Sequence, residues 1–458
     1  MTLTRDLKAQ LRGSVLDWDA DGFDRLRRVW NGAIDRRPCA IARCADARDV
    51  QLALQIARDH SVGVTVRGGG HNVAGLAVRD EALLLDLGAM RAATIDAKLR
   101  VATVEGGALW SDVDAATAEA GLATTGGVIS TTGVGGFTLG GGVGWLMRRF
   151  GLACDNLIGA QVVLADGRSV RADATEYPDL YWGLRGGAGG LGVVTSFEFR
   201  LYPLTQVLAG LIVFNADDSA AVLRRFRDFA REAPDEFCGI AVLTTAPPLP
   251  FLDTAWHGRL ACIVAVCWSG DLAAGGRALE PVRHWGAPLG EAIAPMPYRQ
   301  WQRMLDPSAP AGRRYYWKSA HFASLSDGVI DRIASAARTL PTPVTELHVQ
   351  HIGGAVARVP SSECAFAHRD TQFFVNLMGG AAEERDFETT RAWVRNLYTQ
   401  LSPYTVPGRM PNFSDQDDQD PVARFGKDNA RRLMELRRRY DPDGLFAGTI
   451  RPDGELEP

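Results

Sequence analysis

Apolar residues in the first two hundred positions recur in short runs that favour both helices and strands. After Asp46, which can cap a helix, residues 46–60 carry apolar side chains at helical spacing. A second helix is predicted from the capping-box pattern at Ser111 and is ended by Gly121. Short strands are predicted at 63–67, 83–87, 101–104, 160–165 and 197–201. This mixture predicts an α+β domain.

The pattern changes after Leu204, where longer elements are predicted. Helices are predicted at 218–232, 326–339 and 383–401, and strands at 237–245, 259–268, 345–352 and 371–378. Such a mixture indicates an antiparallel sheet backed by helices, in a second domain of normal size. From about Asn412 the chain is expected to return to the first domain and to form a helix at 428–440. We therefore divide the chain into domains at 1–205 and 206–410 and a returning segment at 411–458.

An unusual stretch follows the predicted strand at 63–67 and reads Arg67-Gly68-Gly69-Gly70-His71-Asn72. Three glycines let backbone amides approach a ligand closely, and successive amides form a nest for an anion such as a pyrophosphate. The stretch alone is equally consistent with a glycine turn and a surface histidine. A nicotinamide-binding Rossmann fingerprint fits poorly, because Val73 occupies the place of its third glycine and no helix pattern follows.

A second glycine-rich run covers residues 126–145 and contains core-type residues between its glycines. A flexible linker would lack such anchors, so the run predicts buried, tightly turned backbone against a flat ligand. The hydroxyl groups that could donate to that ligand are those of Ser130, Thr131, Thr132 and Thr138. Farther along the chain, Cys154 taken by itself is typical of a buried and inert thiol.

Composition narrows the classes of function. The 458-residue chain has a net charge of −4 and no basic run, which argues against a nucleic-acid surface. No apolar stretch approaches the length of a membrane span, and the first residues lack the apolar core of a secretory signal. Seven scattered cysteines are typical of reduced thiols, so we expect a cytoplasmic protein. We assign no metal-binding residues.

The order of the motifs resembles that of a known family. The loop at 67–72, the run at 126–145, Gly-Leu-Ala-Cys-Asp-Asn-Leu at 151–157 and Leu-Arg-Gly-Gly-Ala-Gly-Gly at 184–190 follow one another as in the berberine-bridge-enzyme-like FAD-linked oxidases. These oxidases belong to the vanillyl-alcohol-oxidase (PCMH-type) flavoproteins. The resemblance covers nearly the whole chain. It implies that the first domain is a PCMH-type FAD-binding domain and that the sheet of the second, substrate-binding domain lies over the flavin.

The same resemblance implies FAD as the cofactor, bound covalently through two side chains. His71 is expected to bond the flavin 8α-methyl group and Cys154 to bond C6, since both side chains can add to an electrophilic ring. The 67–72 loop is expected to hold the pyrophosphate. The implied cofactor-binding residues are Arg67, Gly68, Gly69, Gly70, His71, Asn72, Thr132, Gly133, Gly135, Gly136, Thr138, Gly142, Cys154, Val194 and Asn412.

Catalytic candidates come from the predicted sheet of the second domain. His348 and Gln350 share one face of a strand, and Asn376 lies on the next predicted strand. Tyr316 shares a face with Lys318 on a third strand. Polar residues in this arrangement line a pocket or form a solvated face, and the sequence leaves both readings open.

Two departures from the family pattern bear on the chemistry. Met410 stands where many relatives carry a tyrosine that helps to deprotonate alcohols, and Phe374 stands where plant relatives carry its supporting lysine. An amine substrate, which needs no strong base, is therefore favoured. The candidate bases that the sequence offers instead are His348, Tyr316 and Tyr404.

We therefore expect an oxidase that takes a hydride from a small secondary metabolite, sugar or amine to flavin N5 and passes the electrons to O₂, giving H₂O₂. The alternatives are an FAD-dependent dehydrogenase with another acceptor and a non-catalytic flavin-binding or ligand-binding protein. No residue pattern selects the substrate or the oligomeric state.

Overall fold

The computed structural model describes residues 2–418 and 420–446. Up to Pro203 the chain alternates short strands with short helices. The strands are β1 Ser14–Leu16, β2 Ala40–Arg43, β3 Val64–Arg67, β4 Leu83–Asp86, β5 Ala93–Asp96, β6 Val101–Glu105, β7 Leu122–Ala123, β8 Leu157–Val163, β9 Ser169–Asp173, β10 Val193–Arg200 and β11 Tyr202–Pro203. The helices are α1 Leu3–Gln10, α2 Phe23–Leu26, α3 Ala47–Asp59, α4 Trp110–Glu119, α5 Val134–Leu139, α6 Met147–Phe150, α7 Ala153–Asn156 and α8 Pro178–Leu184.

The chain then forms one large sheet with helices between its strands. The strands are β12 Gln206–Asn215, β13 Phe237–Thr245, β14 Leu260–Trp268, β15 Gly290–Pro297, β16 Arg314–Phe322, β17 Glu346–His351 and β18 Phe373–Ala381. The helices are α9 Ser219–Glu232, α10 Leu272–Leu279, α11 Tyr298–Trp301, α12 Asp327–Ala337, α13 Ala355–Arg358, α14 Glu384–Leu401, α15 Pro421–Phe425 and α16 Lys427–Tyr440. Among these helices, none in the described part of the chain combines the length and apolar character that a bilayer span requires.

The sheets differ in the direction of their strands. In the sheet β1-β2-β4-β3, strands β2 and β3 run parallel to β4. The sheet β5-β6-β10-β8-β9 is antiparallel, as is the seven-stranded sheet β15-β12-β14-β13-β17-β18-β16. The predicted α+β fold with a helix-backed antiparallel sheet is confirmed.

Both faces of the large sheet are buried over much of their area. Helices α9, α12 and α14 cover one face with side chains such as Phe226, Ile330 and Val394. The other face packs partly against the first domain, where Ile240 and Trp145 belong to one core. A strand that is covered on both faces carries apolar residues at nearly every position. This explains why β12, whose residues from 207 to 214 are all buried, shows no alternation and is absent from the prediction.

The ends of two helices show how local sequence sets the fold. The side chain of Asp46 accepts a hydrogen bond from the Asp49 amide at 3.0 Å and caps α3 as predicted. The N-cap of helix α4 is Leu109, two residues before the predicted N-cap at Ser111. The reason is that Asp112 reaches back and accepts from the Leu109 amide at 2.9 Å, which moves the cap upstream.

The chain returns to the first domain after the large sheet. Leu433 and Leu436 of α16 pack in the same core as Trp182 of α8. Beyond α16, the Val64 amide at the start of β3 donates to the Leu445 carbonyl at 2.8 Å. The segment after the C-terminal helix therefore braces the strand that leads into the 67–72 loop. Residues 447–458 lie outside the described residues.

A buried ion pair joins a loop of the second domain to the first. Arg369, which precedes β18, is 3% exposed and donates to both carboxylate oxygens of Asp155 at 2.8 and 2.7 Å. It also donates to the Cys364 sulfur at 2.9 Å. Removal of one partner from such a pair leaves a buried charge without compensation.

We expect the substitution Arg369→Met to lower the free energy of unfolding by about 3–5 kcal/mol, the usual cost of breaking a buried ion pair on one side. Urea unfolding at equal flavin content measures the change. The matched control is Arg385→Met, because that side chain is 84% exposed on α14. An equal stability of the two variants would contradict the role given to the Arg369 pair.

Candidate active site

A large cavity lies between the glycine loops of the first domain and one face of the large sheet. Residues 68–72 and part of the segment 132–136 form one wall, and side chains of β17 and β18 form another. The structure thus brings together most of the predicted cofactor-binding and catalytic residues. Those that line the cavity are Gly68, Gly69, Gly70, His71, Asn72, Thr132, Gly133, Gly135, Gly136, Val194, Asn412, His348, Gln350 and Asn376.

The two glycine loops touch each other through their backbones. A Cβ atom added at Gly69 would lie 2.5 Å from the Gly133 nitrogen, and one added at Gly133 would lie 2.3 Å from the Gly69 nitrogen. Any side chain at either position would push the loops apart. In contrast, a Cβ atom at Gly136, which lines the cavity, would meet no atom of the described structure within 4 Å. The open space in front of Gly136 is therefore room for a ligand.

The glycine-rich run at 126–145 contains the six-residue helix α5, where turned backbone was predicted. Thr138 on α5 is fully buried and does not line the cavity, and its hydroxyl has no partner among residues 2–418 and 420–446. The Gly142 amide lies behind the wall and donates to Asn412 Oδ1 at 3.1 Å. These positions correct the predicted cofactor contacts of Thr138 and Gly142, which instead support the wall from behind.

Arg67 points away from the cavity, which corrects its predicted role at the pyrophosphate. Its guanidinium forms an ion pair with Asp86 at 3.1 Å and donates to the Arg28 carbonyl at 3.2 Å. The cations that do line the cavity on this side are Arg36 and Arg79. Arg36 precedes the glycine motif and Arg79 follows it, and neither is part of it, so the motif alone does not identify them.

His71 lies in the cavity wall and stacks against an aromatic pair. Its ring is 4.5 Å from that of Trp30 at an angle of 18°, and Trp30 stacks in turn on Tyr315 at 4.0 Å. One ring nitrogen, Nε2, lies 3.3 Å from the Thr131 hydroxyl. Burial lowers the pKa of His71 to about 4, because the surroundings disfavour its charged form. The imidazole is therefore neutral at physiological pH and able to act as a nucleophile.

Cys154, unlike His71, does not lie in the cavity wall. Of the seven cysteines, which all fall within the described residues, none lines the cavity. The Cys154 sulfur is fully buried, and its ligating atom lies within 4.8 Å of those of Asp155 and Cys364. Burial raises the pKa of the Cys154 thiol, so the reactive thiolate is disfavoured. The placement corrects the prediction that Cys154 reaches the flavin ring. The Arg369 guanidinium, which contacts both Asp155 and Cys364, also disfavours a metal ion there.

Three strands present the opposite wall in register. Side chains that lie directly across from one another on antiparallel strands point to the same face. On this face the successive cross-strand pairs are Trp317–Met378, His348–Asn376 and Gln350–Phe374.

His348 sits at the centre of this face with a carboxylate behind it. Its Nε2 atom lies 2.7 Å from Glu346 Oε2, and Glu346 Oε1 accepts from the Thr244 hydroxyl at 3.3 Å. The Asn376 Oδ1 atom beside His348 is buried and has no partner in the described structure. Sequence reasoning missed Glu346, although its spacing of two residues from His348 on a strand was a usable signal.

The other candidate bases lie elsewhere. Tyr316 is on the helix-covered face of the sheet, where its hydroxyl donates to Asp417 Oδ2 at 2.5 Å and accepts from Arg395 Nε at 2.8 Å. Tyr404 is 44% exposed and its ring packs under the Arg332 guanidinium. Neither tyrosine lines the cavity. Both placements correct the predicted catalytic roles.

Apolar side chains occupy the two positions that depart from the family pattern. Met410 is fully buried, and the Phe374 ring stacks at 5.4 Å on that of Phe413, which lines the cavity. The residues therefore fit a flat, partly apolar cofactor beside a polar reaction centre, with His348 as the group on the sheet face that can accept a proton.

Comparison with known proteins agrees with this architecture. Residues 38–173 match the model of an FAD binding domain. The solved structure of 6-hydroxy-D-nicotine oxidase from Arthrobacter nicotinovorans superposes with a TM-score of 0.85 at 27% identity and covers 98% of both chains. BBE-like 1 of Physcomitrella patens superposes with a TM-score of 0.89 at 21% identity over 100% of both chains. The chain therefore carries an FAD-binding domain and has the fold of the berberine-bridge-enzyme-like, PCMH-type FAD-linked oxidases.

Sequence relatives of this FAD-linked oxidoreductase act on different molecules, as their names state. (R)-6-hydroxynicotine oxidase of Paenarthrobacter nicotinovorans is 28% identical over 464 residues, with 97% of both chains covered. Glucooligosaccharide oxidase of Sarocladium strictum is 26% identical over 467 residues, with 94% of this chain and 90% of that protein covered. A glucooligosaccharide oxidase from Acremonium strictum, described with 6-S-cysteinyl, 8α-N1-histidyl FAD, shares the fold with a TM-score of 0.87 at 23% identity.

We expect the substitution Gly136→Ala to reduce the flavin content of the purified enzyme strongly. The new methyl group would meet no protein atom but would enter the space left for the cofactor, and alanine in α5 should favour the helix by up to about 1 kcal/mol. Flavin absorbance per chain and the melting temperature measure the two effects. The control Gly276→Ala, at an exposed position with equal room on α10, should keep its flavin. Full flavin content in Gly136→Ala would contradict this use of the cavity.

Proposed function

We propose that the protein is an FAD-dependent oxidase of small molecules whose flavin is attached through His71 alone. The observation that carries the proposal is the imidazole of His71, stacked on Trp30 in the wall of a cavity that fits a flavin. When bound, FAD supplies the electron acceptor, and its reoxidation by O₂ gives H₂O₂.

His71 is the nucleophile that supports attachment. A neutral ring nitrogen can add to an electrophilic carbon of the flavin, and stacking on Trp30 fixes the plane of the imidazole. The contact with Thr131 engages Nε2, which leaves Nδ1 as the nitrogen for the covalent bond. Cys154 is left out of the attachment because its sulfur is packed against Asp155 and Cys364.

His348 is proposed as the proton acceptor of the reaction. Glu346 holds its Nε2 atom at 2.7 Å, so the imidazole is oriented and its second ring nitrogen is left for the substrate. The unpartnered Asn376 Oδ1 atom and Gln350 are placed to position a polar group of the substrate. Trp317 and Met378 flank them with apolar surface that suits a planar or aliphatic ring.

The substrate class that this arrangement favours is a small amine. Neither Met410 nor Phe374 can take part in the deprotonation of an alcohol, and an imidazole base is sufficient for an ammonium group or a weakly acidic N–H. The protein named (R)-6-hydroxynicotine oxidase among its relatives is consistent with this class. The cytoplasmic location expected from composition stays a prediction.

A substrate screen tests the proposed activity as a whole. Secondary and tertiary amines, amino alcohols and sugars are mixed anaerobically with the yellow enzyme, and bleaching of the flavin is recorded before air is admitted. We expect at least one amine to bleach the flavin and air to restore the colour with formation of H₂O₂. Bleaching that air fails to reverse would contradict an oxidase, and bleaching by sugars alone would contradict the amine.

We expect His71→Ala to lose all covalent flavin and Cys154→Ala to retain it. The reason is that His71 lies in the cavity wall, whereas the Cys154 sulfur is enclosed elsewhere. Acid precipitation separates bound from released flavin, and in-gel fluorescence reports the covalent fraction. Covalent flavin retained in His71→Ala would contradict attachment through His71 alone and would restore the two-tether assignment.

We expect His348→Ala to slow anaerobic bleaching by an accepted substrate by about 10²–10⁴-fold, the usual contribution of a general base. Glu346→Gln should cause a smaller loss, because the imidazole stays but is less well oriented. Tyr316→Phe serves as the control, since its hydroxyl lies on the other face of the sheet. Similar rates in His348→Ala and Tyr316→Phe would count against the proposed base.

A further inference from the structure

One buried cation in the cavity wall forms no salt bridge within the described part of the chain. Arg424, on α15, is 2% exposed and lines the cavity. None of its three guanidinium nitrogens has a hydrogen-bond partner among residues 2–418 and 420–446. Burial lowers the pKa of Arg424 to about 10, so the side chain is still charged at neutral pH. A buried guanidinium without a partner is unfavourable, which indicates that an anionic group of a ligand completes the site.

No described residue beside Arg424 is left to supply that anion. The neighbouring carboxylate, Asp418, is held by Lys318 Nζ at 2.8 Å and by Arg409 Nε at 3.2 Å. The phosphate end of a bound dinucleotide would have other cations to meet, because Arg36 and Arg79 also line the cavity.

The register of the large sheet places Arg424 and His71 toward opposite ends of one face. His71 stacks on Trp30, whose ring is 5.3 Å from that of Trp317, at the Trp317–Met378 end. The Arg424 carbonyl accepts from His368 Nε2 at 2.7 Å. The His368 ring lies 5.9 Å from His321, which pairs with Phe374 at the far end.

The distance between the two ends suits a tricyclic ring. Met378 and Phe374 are four residues apart on β18, which corresponds to about 13 Å along a strand. His348 and Asn376 lie between them. A ring attached by its benzenoid end at His71 would therefore present its middle to His348 and its pyrimidine end toward Arg424.

We propose that Arg424 is the counter-charge for the pyrimidine end of the flavin and that it stabilises the reduced ring. This inference rests on the proposed function, because it requires FAD attached at His71. Transfer of a hydride from the substrate places two electrons and one hydrogen on the ring, which gains one net negative charge, while the substrate proton goes to His348. The excess charge accumulates on the pyrimidine end, where a buried guanidinium lowers its energy and raises the reduction potential.

Sulfite titration tests this role without any substrate, since addition of sulfite to the flavin also places negative charge on the pyrimidine end. Three holoenzyme variants are compared with the wild type: Arg424→Gln, Arg424→Lys and, as the matched control, Arg409→Gln. Arg409 is a neighbouring arginine that is already paired with Asp418 and does not line the cavity. Acid precipitation first establishes that each protein carries covalent flavin.

We expect Arg424→Gln to weaken sulfite binding by about tenfold or more, which corresponds to the loss of one hydrogen bond to a charged group. Its two-electron reduction potential should fall as well. Arg424→Lys should keep most of the affinity, and Arg409→Gln should match the wild type. If Arg424→Gln does not fold, the pH dependence of the wild-type reduction potential tests the inference instead. Across the neutral pH range, its slope should correspond to uptake of one proton per two electrons, because the reduced ring stays anionic.

The outcomes separate this inference from the proposed function. A wild-type protein without flavin would overturn both. Covalent flavin together with an unchanged sulfite affinity in Arg424→Gln would overturn the inference alone. An unchanged affinity combined with a raised KM for carboxylate-bearing substrates would also overturn it and would assign Arg424 to the substrate. A dependence of two protons per two electrons in the wild type would contradict an anionic reduced ring.

Discussion

The contact between the backbones of Gly69 and Gly133 is the constraint on which the rest of the site depends. A side chain at either position would lie within 2.5 Å of the opposite loop. The loop at Gly133 is itself held by hydrogen bonds on both sides of that residue, because the Trp110 amide donates to the Thr132 carbonyl at 3.0 Å and the Val134 amide to the Ala108 carbonyl at 2.9 Å. Two loops from distant parts of the chain thus form one wall of the cavity. His71, two residues after Gly69, is held at a defined position in that wall.

The opposite wall owes its chemistry to a sheet that is buried on both faces. Helices cover one face with a continuous apolar core, so polar groups on the other face concentrate over the cavity. His348 gains its orientation from Glu346 on its own strand, and Asn376 stands beside it in register. The third contribution comes from the C-terminal segment, which brings Asn412 and Arg424 to the cavity. Three separate parts of the chain therefore define the position of one planar cofactor.

The sequence predicted the helices and strands whose signals are local. It failed where the position of a side chain depends on contacts with distant parts of the chain. The helices Ser219–Glu232 and Glu384–Leu401 were found from apolar spacing alone. The pairing of Arg67 with Asp86 was not predicted, because it arises from the parallel register of β3 and β4. On β16 a shift of one residue separates Tyr316 on the helix-covered face from Trp317 in the cavity. The direction of the Cys154 sulfur is set by packing around a four-residue helix, which leaves no pattern in the sequence.

The central claim is that one imidazole, and no sulfur, holds the flavin. Peptide mapping of the unmodified holoenzyme tests it most directly, because trypsin should release residues 68–79 with His71 and residues 150–168 with Cys154 as separate peptides. The account predicts that the first peptide carries the added mass of the flavin and that the second has its unmodified mass. Flavin mass on the second peptide, or on neither, would contradict it.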